Sequence, residues 1–142
     1  MGVQTTSAVE RMSGYRDGAD WKTKVLVVDD ERIIADTLAT ILNRAGYDAH
    51  AVYSGEAAVE ALSYFTADVL VSDVMMPGMN GIEAAIAILK QRPHCKVLLL
   101  SGQAATTDLL CAARTQGHIF DLFAKPIHPL DLLDRLRTGL IN

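Results

Sequence analysis

Hydrophobic and polar positions come in alternating blocks along this chain. Lys24-Val25-Leu26-Val27-Val28 is a short β-branched run, the pattern of a strand buried on both faces. From Glu31 to Ala45 the spacing becomes helical, with Ile34, Leu38, Ile41 and Leu42 on one face and Gly46 as the stop. Residues 47–53 read as a weaker strand, and 55–65 as a helix with Ala58, Leu62 and Phe65 inward. Val69-Leu70-Val71-Ser72 is another buried strand, ending at Asp73. A loop through Met75, Pro77, Gly78 and Asn80 leads into a helix over 81–91. Lys96 to Leu100 is the fourth strand, and a helix over about 105–116 follows. The spacing then predicts a fifth strand over 118–124 and a last helix over 129–138.

Strict alternation of strands and helices predicts a parallel sheet with helices on both faces and right-handed crossovers. Five such units are too few for a closed eight-stranded barrel. The expected fold is therefore α/β and flavodoxin-like, a five-stranded parallel sheet in the order 2-1-3-4-5. Alternation alone does not fix that order. Residues 1–22 are rich in Gly, Ser, Thr and charge and lack an apolar period, so they read as a flexible N-terminal tail before a domain over 23–142. Trp21 is expected to pack against the domain edge.

Composition narrows the function classes. Half of the 142 residues are hydrophobic and 21% are charged, which suits one globular domain with a real core. A net charge of -4 argues against direct nucleic-acid binding, which needs clustered Lys and Arg. No apolar run approaches the roughly 20 residues that cross a bilayer, and no secretory signal is seen, so a cytoplasmic location is expected. Cys95 and Cys111 then read as free thiols, with Cys111 a small buried side chain in an apolar helix. His50, His94, His118 and His128 have no metal-ligand spacing and read as surface or satisfied residues.

The chemistry lies at the strand ends. The first strand runs into Asp29 and Asp30, the third into Asp73, the fourth into Ser101 and the fifth into Lys125. In a parallel sheet these ends share one edge, and in the order 2-1-3-4-5 strands 1 and 3 are neighbours at the ligand-binding switch point. Taken singly, each residue is ordinary: an Asp in a turn or helix cap, a Ser-Gly turn, a Lys-Pro corner. Together they converge three carboxylates on one pocket, and these repel unless compensated. A hard divalent cation is the simple remedy, and Mg²⁺ suits carboxylates combined with phosphate oxygens. With Lys125 as a mobile positive charge and Ser101 as a hydroxyl donor, the set suits phosphoryl transfer. Asp73, at the end of a central strand, is the natural nucleophile and would form an aspartyl phosphate.

The segments VLVVDDE, VLVSDVMMPGMNG, VLLLSG and FAKPI resemble the receiver domain of bacterial two-component response regulators, over about residues 23–138. The resemblance implies that Asp73 is the phosphoacceptor, and that Mg²⁺ is held by Asp30 directly, Asp29 mainly through water, Asp73 and the Met75 backbone carbonyl. Ser101 and Lys125 would contact the phosphoryl oxygens. The donor would be a phosphohistidine on a sensor histidine kinase or a phosphotransfer protein, and the only chemistry would be the domain's own phosphorylation and dephosphorylation. It further implies a cis Lys125–Pro126 bond.

Two positions depart from the family pattern. Asn80 stands where Asp is frequent, a mild change. Leu122, three residues before the Lys, occupies the switch position usually held by Tyr or Phe. Ser101 and Leu122 together would be the switch pair. Ile33 and Thr37, facing outward from the first helix, form with Ile127 and His128 a candidate kinase-docking patch. The face of the fourth helix, fifth strand and fifth helix is a candidate homodimer surface. Two rivals remain. A haloacid-dehalogenase-type phosphatase resembles a DxD after its first strand, where this chain has adjacent Asp29-Asp30. A phosphorylation-independent interaction module does not need the complete set Asp29, Asp30, Asp73, Ser101 and Lys125.

Overall fold

The computed structural model describes residues 22–102 and 106–139. Five strands alternate with five helices: β1 (Lys24–Val28), α1 (Arg32–Arg44), β2 (Asp48–Val52), α2 (Gly55–Ala61), β3 (Val69–Asp73), α3 (Gly81–Gln91), β4 (Lys96–Ser101), α4 (Thr106–Thr115), β5 (Asp121–Ala124) and α5 (Pro129–Thr138). All strand pairs are parallel, and the order is β2-β1-β3-β4-β5 as expected. The tail reading and the packing of Trp21 lie outside the described residues, as does residue 105 at the expected start of α4.

Alternation within the strands sends side chains to two cores. Val25, Val27, Val69, Val71, Leu98 and Leu100 meet Ala35, Leu38, Ala39 and Leu42 of α1 and Leu132 of α5. Leu26, Val28, Leu70, Val97 and Leu99 meet Ala58 of α2, Ile82, Ala85 and Ile88 of α3, and Ala113 of α4. This two-sided burial is why the central strands read as continuous apolar runs. At the sheet edge, Asn43 of α1 both donates to the Ala49 carbonyl (3.1 Å) and accepts from its N–H (2.8 Å), occupying backbone groups of β2.

Three expectations are corrected. The helix expected over 55–65 ends at Ala61, because i→i−3 bonds from Leu62, Ser63 and Tyr64 tighten the chain and turn Phe65 into the core. The strand expected from 118 begins at Asp121. The His118 N–H is used to close α4, bonding the Ala113 carbonyl at 2.9 Å beside Gly117 at φ 92°, so it is unavailable to the sheet. Cys111 is exposed, not buried, because α4 turns Leu109, Leu110 and Ala113 inward instead. Cys95 is buried, and both thiols are free.

Candidate phosphoryl-acceptor site

The carboxyl edge of the sheet gathers the polar residues. β1 ends so that Asp29 is buried (1% exposed), with its backbone N–H on the Val52 carbonyl of β2 at 3.3 Å. Asp29 Oδ1 accepts the Glu31 N–H at 2.9 Å, which fixes the turn into α1. Asp30 is exposed beside it. Asp73 closes β3, a strand buried at every position. Its backbone is held from two sides. Ser72 Oγ donates to the Asp73 carbonyl (2.9 Å), and Gly81 at the start of α3 approaches so closely that a Cβ there would collide with that oxygen. Asn80 and Glu83 form a reciprocal capping box at the same helix start.

Asp29, Asp30 and Asp73 each offer a carboxylate oxygen, all within 4.8 Å of one another. Lys125 reaches across from the end of β5, with its Nζ 2.9 Å from Asp29 Oδ2 and 3.5 Å from Asp73 Oδ2. The ammonium therefore leans on Asp29 and leaves Asp73 less fully paired. Burial raises the Asp73 carboxyl above the usual carboxylate range; Lys125 opposes this, and the Asp29 and Asp30 charges add to it. Burial works against the Lys125 charge, but the hydrogen bond to Asp29 and the attraction of Asp73 outweigh it and raise its pKa. One cation among three carboxylates leaves excess negative charge around oxygen ligands. That donor set fits a hard divalent cation such as Mg²⁺.

The acidic cluster borders an open cleft of about 490 Å³ lined by Asp30, Glu31, Ile34, Asp73, Met75, Gly102 and Lys125. Ser101 is buried at the end of β4, opposite Ala124 in the sheet, and its carbonyl accepts the Lys125 N–H at 2.9 Å. Gly102, the next residue, lines the cleft. The Lys125–Pro126 bond is cis, as expected. Leu122 is 39% exposed on β5.

A second groove of about 230 Å³ adjoins Lys125. It is apolar and includes Ile33, Thr37, Ile127, Leu38, Pro126 and Pro129. Three of the four residues expected in a docking patch thus line one groove, with Ile33 82% exposed. His128 does not join them: its Nδ1 accepts the Leu130 N–H at 3.1 Å and caps α5, next to Pro129 in the first turn. Sequence reasoning missed that role, although a polar residue before Pro at a helix start is a capping signal. It also missed Glu56, which reaches the loop after Asp73. No described helix is long and apolar enough to cross a membrane.

Comparison with known proteins agrees with this geometry. TcrA of Mycobacterium tuberculosis, a transcriptional regulatory protein, is 34% identical over 138 residues, covering 97% of this chain and 54% of TcrA. The chain thus spans about half the length of the curated relatives it matches. The signal receiver domain of an HD domain-containing protein from Pseudomonas fluorescens superposes with a TM-score of 0.75 at 26% identity, over 83% of this chain and 94% of that one. The chemotaxis protein CheY4 of Vibrio cholerae does so with a TM-score of 0.73 at 28% identity, over 83% and 98%. The family model for the response regulator receiver domain matches residues 25–137, a span that contains every strand end of the acidic edge. An acidic pocket at the switch point of a 2-1-3-4-5 sheet and this match lead to one conclusion: the chain belongs to the receiver domain family of two-component response regulators.

Proposed function

We propose that this domain, over residues 23–142, is a cytoplasmic phosphoryl acceptor that takes the group onto Asp73 from a phosphohistidine of a sensor kinase or phosphotransfer protein. The observation that carries the reading is the cluster of Asp29, Asp30 and Asp73 oxygens within 4.8 Å, bridged by Lys125. An Asp73 carboxylate oxygen attacks phosphorus as the phosphorus–nitrogen bond breaks. The electron pair returns to the imidazole, which takes up a proton. Asp30, Asp29, Asp73 and the Met75 carbonyl are the residues that would hold Mg²⁺, which when bound would offset the repulsion between the phosphoryl oxygens and the attacking carboxylate. Lys125 exchanges part of its pairing with Asp29 for the incoming charge, and Ser101 supplies a hydroxyl donor. No turnover of other substrates is expected.

The apolar groove of Ile33, Thr37 and Ile127 beside Lys125 suits the donor protein, because it adjoins the acceptor carboxylate. On the other side, Cys111, Ile119 and Leu122 are exposed around α4 and β5, where a second copy or an output partner would sit. The test is incubation with acetyl phosphate and Mg²⁺ followed by intact mass. One added phosphoryl group is expected, and Asp73→Asn should abolish it. Labelling that survives in that variant would sink the assignment.

A further inference from the structure

The loop from Val74 to Asn80 joins the acceptor strand to α3 and carries Met75 into the cleft. Its ends are fastened by backbone and capping bonds. Val74 pairs through its N–H with the Leu100 carbonyl and through its carbonyl with the Gly81 N–H. Met76 is buried in the core, and Asn80 is locked to Glu83. The Pro77-Gly78-Met79 turn between them is exposed or half-exposed. One side chain from another layer holds it: Glu56, in the first turn of α2, accepts the Met79 N–H at 3.0 Å.

Two glycines make room for that bond. A Cβ on Gly78, which has φ 72°, would stand 2.6 Å from Glu56 Oε2. A Cβ on Gly55 would stand 2.7 Å from the Met79 carbonyl oxygen. The helix start and the loop therefore approach backbone to backbone, and the carboxylate closes the contact. Hydrogen bonds from its own backbone and from Met79 lower the Glu56 pKa, so the acceptor is charged at neutral pH and the bond is charge-assisted. A Glu in the first turn of a helix ordinarily serves only the helix dipole.

Resting on the phosphoacceptor reading, we infer that Glu56 is a positioning residue of the site: it holds the Met76–Asn80 turn so that Met75 stays presented to the cation. The effect belongs to cation affinity, not to the attack by Asp73. Mg²⁺ binding is measured by calorimetry on the whole chain and on Glu56→Ala and Glu56→Gln, with labelling by acetyl phosphate measured across Mg²⁺ concentration. Glu56→Ala should weaken Mg²⁺ binding on the order of tenfold, the lower end for losing an outer-shell partner. Its labelling rate at saturating Mg²⁺ should equal that of the native chain. Glu56→Gln keeps an acceptor oxygen and should stay within about twofold of native affinity, half of the tenfold window in logarithmic terms or less. Native affinity in Glu56→Ala overturns the inference, as does a fall in the saturating rate alone. Equal weakening in both variants also overturns it, since that assigns the effect to charge. A native chain that binds no Mg²⁺ and takes no label overturns the phosphoacceptor reading itself, and this inference with it.

Discussion

Strand β3 is buried at every position from Val69 to Asp73, whereas β5 buries Asp121 and leaves Leu122 and Ala124 exposed. The helix that follows β3 and the helix that precedes β5 differ in the same way. α3 buries Gly81, Ile82, Ala84, Ala85 and Ile88, while α4 buries Ala113 among its described side chains. The Asp73 carboxylate thus sits where packing on both faces immobilises the backbone. The face of α4 and β5 has few buried apolar contacts, which places it at the low-stability end of the fold. A switch needs that division: a rigid place for chemistry and a loosely held element whose arrangement can change.

The largest expected contrast is between the two thiols. Burial pushes the Cys95 thiol up to about 11, with Arg92 opposing and Asp68 adding to the shift. At pH 8 about a thousandth of it is then thiolate, and access is blocked as well. Cys111 stands exposed on α4. A thiol-reactive probe should modify Cys111 in the native protein and reach Cys95 only through unfolding. Comparable rates for the two would mean that the Cys95 side of the core opens as readily as α4, and the contrast would be lost.

Core truncation should show the same division in stability. Leu70→Ala removes a fully buried side chain from β3 and should cost about 2–5 kcal/mol in urea denaturation. Leu110→Ala, on the half-buried face of α4, should cost about 1 kcal/mol, since less area returns to water. Equal costs would show that α4 is as tightly integrated as β3.

Mg²⁺ should sharpen the difference from outside. A ligand bound only to the folded state at about 100 times its Kd adds roughly 2.7 kcal/mol. The melting temperature should rise with Mg²⁺, and Asp30→Ala should remove most of the rise. Hydrogen exchange should slow around Asp29–Glu31 and the loop after Asp73, and change little in α4. An undiminished rise in Asp30→Ala would place the cation elsewhere.

The same asymmetry explains what the sequence could reveal. β1, β3 and β4 are buried on both faces, so their apolar runs and the polar residue ending each run were visible directly. The regular spacing of α1 and α3 was legible for the same reason. Boundaries failed where local hydrogen bonding overrode the apolar pattern, at the tightened end of α2 and at His118. Cys111 was misread because α4 carries more apolar residues than it buries. Glu56 could not be found, since its partner is a backbone N–H 23 residues away that only the packing of α2 on the loop brings near.

The smallest expected effect on stability, and the sharpest on function, is at Leu122. It lies opposite Leu99 in the sheet, and alternation turns it to the other strand face from Phe123. Phe123 is held in place: the Arg135 guanidinium stacks over its ring at 4.5 Å and bonds Asp121 at 3.2 Å. Phe120 precedes the strand and packs against the core under α4. Neither ring is free to follow Ser101 if that hydroxyl moves toward a phosphoryl group. Leucine at 122 has no ring to swing and no hydroxyl to anchor outside, so under the phosphoacceptor proposal the loosely packed face would have no aromatic coupling element at this position. Under the phosphoacceptor proposal, amide shifts on phosphorylation should concentrate near residues 29–31, 73–80 and 125–128 and stay small across 106–123. Leu122→Tyr, at a position already 39% exposed, should change stability by less than about 0.5 kcal/mol, as for surface sites, while spreading the shifts into 106–123. If the native chain already shows large shifts there and the tyrosine adds nothing, the looseness of α4 and β5 suffices to carry the signal without an aromatic switch.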